Sequence, residues 1–204
     1  MADAAIDYDE IDYKETKKPH LKLHKWTYKD YKNWELKPGE RIELIYGNVY
    51  AMAAPSLAHQ RVSMTLSGAL YIFFKGKTCE PFAAPIDVRL FYKEDESDDT
   101  VVQPDLIVVC DPNKLGKEGC RGAPDLIIEI LSPSNTATEM SRKKNLYLAA
   151  GVSEFWIVDP ELKQIEVNRI EKGRYMPYLF CMGDTLDSFK FTDFKLPIDT
   201  IFPE

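Results

Sequence analysis

The chain has 204 residues, 45% of them hydrophobic, enough to bury a sizeable core in one main domain. Its 33 acidic and 26 basic side chains give a net charge of −7, which excludes coating of duplex DNA by bulk charge but leaves room for a local basic groove. No apolar run approaches the length of a transmembrane helix, and the N-terminal MADAAIDYDEIDYK lacks a signal-peptide core, so no membrane attachment is expected and the cytoplasm is the default address.

Residues 1–25 are rich in Asp, Lys and Tyr without apolar periodicity and read as an N-terminal arm, ahead of a single domain over 26–204. His20 and His24 lie in that arm without the acidic or cysteine partners of a metal site. Thr27 can cap a short helix from Tyr28 to Trp34. The stretch RIELIYGNVYAMA (41–53) predicts two short strands around the Tyr46-Gly47-Asn48 turn. From Ser56 to about Phe74, Leu57, Val62, Leu66, Leu70 and Phe73 recur at helical spacing.

Two strands follow, Phe82 to Tyr92 and Val101 to Cys110, with KEDESDD (93–99) between them as a solvated hairpin loop. Residues 111–123 read as a polar loop and 124–132 as a strand. Ser134 or Asn135 can cap a helix over 137–150 that Gly151 stops. Strands over 154–159, 164–170 and 175–180 and a closing segment complete the chain. The strand–helix–strand unit 124–159 predicts a mixed sheet with helices packed against it, an α/β or α+β layer fold. The cysteines at 79, 110, 120 and 181 show neither CxxC nor zinc-ligand spacing, and Cys110, ending an apolar strand, reads as a buried free thiol.

Two of these strands carry a carboxylate: Asp105 in QPDLIVVC and Glu129 in DLIIEILSPS. Asp105, beside a proline, reads equally well as an edge residue facing water. Glu129 has three large apolar residues before it and two after, and alternation puts it on the face of Ile127 and Leu131. Two carboxylates on neighbouring buried strands repel unless a cation sits between them. A divalent metal suits that place, since it takes hard oxygen ligands and can polarise a phosphodiester.

The paired motif QPDLIVV…DLIIEILSPSN resembles that of the PD-(D/E)XK nuclease superfamily. More narrowly, WTYKDY, ERIELIYGNVYAMAAPSLAHQ, VQPDLIVV, PDLIIEILSPSN and KKNLYLAAGVSEFWIVDP occur in the order of the Uma-type restriction endonuclease family, from about Trp26 to Phe202. The resemblance implies a restriction-endonuclease-like mixed β-sheet core flanked by helices, with additional antiparallel strands. It also implies that Asp105 and Glu129 bind Mg2+ or Mn2+. The superfamily expects a lysine two residues after the second acid, but Leu131 stands there. The resemblance moves that lysine to the next helix, in RKKNLY. Helical period does not choose between Lys143 and Lys144, whereas the family's spacing of four residues before the tyrosine favours Lys143. The alternative reading is that both stems snorkel off a packed helix.

By the same carry-over Glu43, in IEL, is an upstream acid near the metal, and His59, opening the long helix, contacts phosphate or tunes the metal site. A surface-strand glutamate and a helix-start histidine with one structural hydrogen bond are the competing readings. Asp125 and Asp159 read as structural. The implied activity is a divalent-metal-dependent endonuclease on DNA, acting as a homodimer because duplex cleavage takes two sites. The competing class is a catalytically inactive nuclease-like module that binds nucleic acid or a protein partner.

Overall fold

The computed structural model describes residues 25–202; the arm expected over 1–25, with His20 and His24, lies outside the described residues apart from Lys25. Thr27 donates its backbone N–H and its hydroxyl to Asp30 and starts α1 (Tyr28–Tyr31). That helix is a single turn and stops short of Trp34. Tyr46 and Gly47 both take positive φ, 48° and 72°, the backbone of a tight hairpin turn. They join β1 (Ile42–Ile45) to β2 (Asn48–Ala51) antiparallel, with Glu43 opposite Tyr50. Ser56 accepts the His59 backbone N–H at 3.2 Å and starts α2 (Leu57–Phe74), which buries Val62, Leu66, Leu70 and Phe74.

Each of the next two expected strands divides at a proline. The first becomes β3 (Glu80–Ala83) and β4 (Val88–Arg89) around Pro85, and the second β5 (Val101–Val102) and β6 (Leu106–Val109) around Pro104. Proline has no N–H to give a ladder, and at each break the chain passes between sheets. The supposedly solvated 93–99 loop holds Asp98 at 1% exposure, paired with the Arg89 guanidinium. Residues 111–123 are more ordered than a loop. They contain a 3-10 turn (Pro112–Lys114), β7 (Leu115–Gly116) and β8 (Gly119–Arg121). Gly119 is required there, because at φ 126° a Cβ would lie 2.2 Å from the Asp87 carbonyl oxygen.

Then come β9 (Leu126–Ile130), α3 (Ala137–Ala150) and β10 (Glu154–Asp159). The helix is capped by Thr136 rather than Ser134 or Asn135, and left-handed Gly151 ends it. β9 and β10 pair in parallel with Glu129 opposite Ile157. A hairpin of β11 (Gln164–Glu171) and β12 (Arg174–Cys181) follows, then a small pair, β13 (Thr185–Asp187) and β14 (Lys195–Pro197).

Two six-stranded mixed sheets result, ordered β2-β1-β5-β4-β8-β7 and β12-β11-β10-β9-β6-β3. Leu126, Ile128 and Ile130 face one core with α2 and the β13–β14 segment. Ile127 faces another, which Leu146 and Tyr147 of α3 share with residues of both sheets. The fold is thus a mixed α+β one, with α2 and α3 on opposite faces of the second sheet. The β3–β6 pairing of Glu80 with Val109 brings the flanking Cys79 and Cys110 side by side, and they form a disulfide instead of leaving Cys110 free. Among the described residues the buried free thiol is Cys120, pushed up to about 11 by burial.

Candidate active site

The break at Pro104 decides where Asp105 points. Between β5 and β6 its carbonyl still accepts the Ala84 N–H at 2.9 Å, while its side-chain Oδ2 accepts the Ile130 backbone N–H at 2.8 Å. This bond ties the first motif to the end of β9. His59 Nε2, from the first turn of α2, lies 3.1 Å from the same oxygen. Glu129, on the Ile127 face of β9, accepts at Oε1 from Lys143 Nζ at 3.0 Å and from the Tyr147 hydroxyl. Lys143 also donates to Glu43 Oε1 at 3.1 Å, and Glu43 accepts the Gln103 N–H at 3.1 Å. The strand order explains the meeting. β1 lies beside β5, whose continuation past Pro104 becomes β6, the neighbour of β9.

Asp105, Glu129, Lys143, Glu43 and His59 therefore line one cavity of about 310 Å³. Lys144, left open beside Lys143 by helical period, turns away to Glu166 at 3.0 Å. Leu131 lines the cavity from the place of the superfamily lysine. Asp125 accepts the Cys110 N–H and pairs with Lys190, and Asp159 accepts two backbone N–H groups of the following turn; neither lines the cavity.

The charge immediately around Lys143 is unbalanced. One ammonium faces Glu43 and Glu129, with Asp105 close by. Burial alone would lower the Lys143 pKa, but Glu129 and Glu43 overcome it and hold the ammonium well above the ordinary lysine range. Burial, helped by the Glu43 and Asp105 charges, pushes the Glu129 carboxyl up to about 7 against the downward pull of Lys143. Burial and the Glu129 charge raise Tyr147 well above its ordinary value, so it remains a neutral donor.

Among the described residues, no three His, Cys, Asp or Glu side chains converge as a ready metal cage. A small hard dication does not require one, since one or two carboxylates with water and substrate oxygens suffice. Asp105 and Glu129 each have one oxygen held by protein donors and the other without a hydrogen bond among the described residues. The donor set and its excess negative charge fit such an ion.

Tyr147 has no role in the sequence reading, although its spacing of four from Lys143 places both on one helix face. Arg142, the residue before Lys143, lines the cavity with its guanidinium over the Tyr50 ring. Tyr50 of the β1–β2 hairpin covers Arg142 here, which the helix's own periodicity cannot report.

A family model described as "Putative restriction endonuclease", Uma2, matches residues 28–199. Two uncharacterised Synechocystis proteins are similar. The protein slr1290 is 28% identical over 129 residues, 63% of this chain and 65% of that one. The protein sll1609 is 27% identical over 143 residues, 69% of this chain and 78% of that one. The chain thus spans just under two thirds of the length of slr1290. A crystal structure described as a "putative nuclease" from Anabaena variabilis has a TM-score of 0.70 at 19% identity, covering 87% of this chain and 97% of that one. At that identity the likeness is one of fold.

Proposed function

The chain belongs to the Uma2 family, and from that premise we propose that it is a divalent-metal-dependent endonuclease that hydrolyses DNA phosphodiester bonds. The observation that carries this reading is the return of Lys143 to Glu129 at 3.0 Å, which brings a lysine to the second-motif acid although residue 131 is leucine. Asp105 and Glu129 would hold Mg2+ or Mn2+ through the oxygens their protein donors leave free. Bound there, the ion polarises the phosphodiester and offsets the charge that develops as it is cleaved. Lys143 orients the attacking water and stabilises negative charge, and Glu43 holds the ammonium in place. His59, through Nε2, fixes the Asp105 carboxylate and so tunes the metal site. Among the described residues one chain carries one such cavity, so cutting both strands of a duplex calls for a homodimer.

One observation favours a second reading, a nuclease-like module that binds nucleic acid or a protein partner without cutting it. The Lys143 ammonium bridges Glu43 and Glu129, as a purely structural ion pair would. Supercoiled plasmid with Mg2+ or Mn2+ separates the two. Nicking by wild type that is lost with chelator, in Asp105→Ala and in Glu129→Ala, supports the endonuclease. No nicking, together with no Mn2+-dependent rise in melting temperature, rules it out.

A further inference from the structure

The carboxylate cavity has a cationic side that the proposed chemistry does not use. Arg41 and Glu43 are two apart on the β1 chain and share a face. Tyr50 lies opposite Glu43, and the Met52 N–H reaches the Arg41 carbonyl at 2.9 Å. The hairpin therefore presents Arg41, Glu43, Tyr50 and Met52 together to the cavity. From α3, the Arg142 guanidinium carbon lies 4.1 Å from the Tyr50 ring centroid. Stacking on that ring fixes the plane of the guanidinium.

The permanent cations on the cavity wall are Arg41, Arg142 and Lys143. Lys143 is held by two carboxylates. Arg41 and Arg142 have no acidic partner among the described residues, and Arg142 Nε is buried without an acceptor. A buried donor left unmade costs free energy, and a guanidinium fork matches a phosphate's oxygens. A polyanion approaching a chain of net charge −7, at a cavity rich in carboxylates, needs such local cations.

The geometry points to a phosphate clamp: Arg41 and Arg142, both on the cavity wall with Tyr50, grip nucleic-acid backbone phosphates adjacent to the one presented to Asp105 and Glu129. The inference rests on the nuclease reading and deepens it by assigning the residues that seat the strand.

Salt dependence tests it. Each phosphate contact contributes about −0.9 to the slope of log K against log salt on duplex DNA. Binding is measured by fluorescence anisotropy with a labelled duplex of about 20 base pairs, Ca2+ replacing Mg2+, between about 50 and about 200 mM salt. Arg41→Gln and Arg142→Gln should each flatten the slope by about 0.9, and the double variant by about 1.8. Arg142→Lys should return the slope, and Arg174→Gln, on an exposed strand residue far along the chain, should leave it unchanged. Mn2+ binding without DNA should not weaken, since neither variant removes a carboxylate and each removes a positive charge from the cavity wall. If Arg142→Gln does not fold, Arg41→Gln and Arg142→Lys still carry the test through the same slope.

An unchanged slope in folded variants, even at reduced affinity, would overturn the clamp while leaving the nuclease reading intact. Failure of wild type to bind either this duplex or its single strand would overturn both.

Discussion

The ammonium of Lys143 stands 3.0 Å from Oε1 of Glu129, fourteen residues earlier, because the chain between β9 and β10 lays α3 back across the sheet. Lys143 is only 4% exposed, so Lys143→Ala leaves Glu43 and Glu129 buried without their cation. Removing one partner of a buried pair typically costs about 3–5 kcal/mol. Urea unfolding should show a loss of that size, and plasmid cleavage should cease. Added Mn2+ should return part of the lost stability by replacing the missing charge. A loss below about 1 kcal/mol would equal that of an exposed pair and would mean that water, not Lys143, compensates the carboxylates.

A pH dependence follows from the same imbalance. Burial pushes the Glu129 carboxyl up to about 7, against an ordinary value of 4.5. Between those values the folded chain keeps a proton that the unfolded chain has released. The Glu129 contribution to stability is therefore complete below the unfolded value and is lost as pH rises through about 7. With chelator present, the difference in unfolding free energy between wild type and Glu129→Gln should change across this window and level off above it. A difference that is flat across the window would place the Glu129 proton affinity near its ordinary value.

Tyr147 donates to the oxygen of Glu129 that Lys143 also reaches. Tyr147→Phe keeps the ring packed against Phe155 and removes only the hydroxyl. A hydrogen bond to a charged group contributes about 1.5–3 kcal/mol, and denaturant unfolding near neutral pH should show a loss within that range. Because this bond lowers the Glu129 pKa, the variant should also move the pH transition of the previous experiment upward. Loss of stability with no such movement would assign Tyr147 to packing alone.

Much of this arrangement is legible in the chain before folding is considered. Glu129 interrupts an otherwise apolar strand, so its need for a partner is visible at once, and the helix period puts Lys143 and Tyr147 on one face. What cannot be read is anything set by sheet order. Glu43 meets Lys143 across a separation of one hundred residues, through a hairpin that reaches the site only because β1 lies beside β5. The same hairpin, through Tyr50, makes Arg142 a wall of the cavity. Pro85 and Pro104 are plain in the sequence, but that each marks a passage between sheets depends on which strands find each other. The Cys79–Cys110 pairing likewise follows from the β3–β6 register, not from cysteine spacing.

Leu131 offers the sharpest test of the displaced lysine. It follows β9, its N–H donates to the Val158 carbonyl at 2.8 Å, and it lines the cavity with Glu129. Residues two apart on an extended chain are about 6.6 Å apart along it, within reach of a lysine stem. If the site needs an ammonium beside Glu129 and not Lys143 in particular, Leu131→Lys in the Lys143→Ala background supplies one from the superfamily's usual place. The double variant should regain stability relative to Lys143→Ala, together with about tenfold or more of the lost plasmid-cleavage rate, roughly 1.4 kcal/mol of barrier. Leu131→Lys alone should gain nothing, because a second ammonium would compete with Lys143 and with the metal for the same carboxylate. Restored stability without restored cleavage would mean that cleavage needs Lys143 itself and not merely an ammonium beside Glu129.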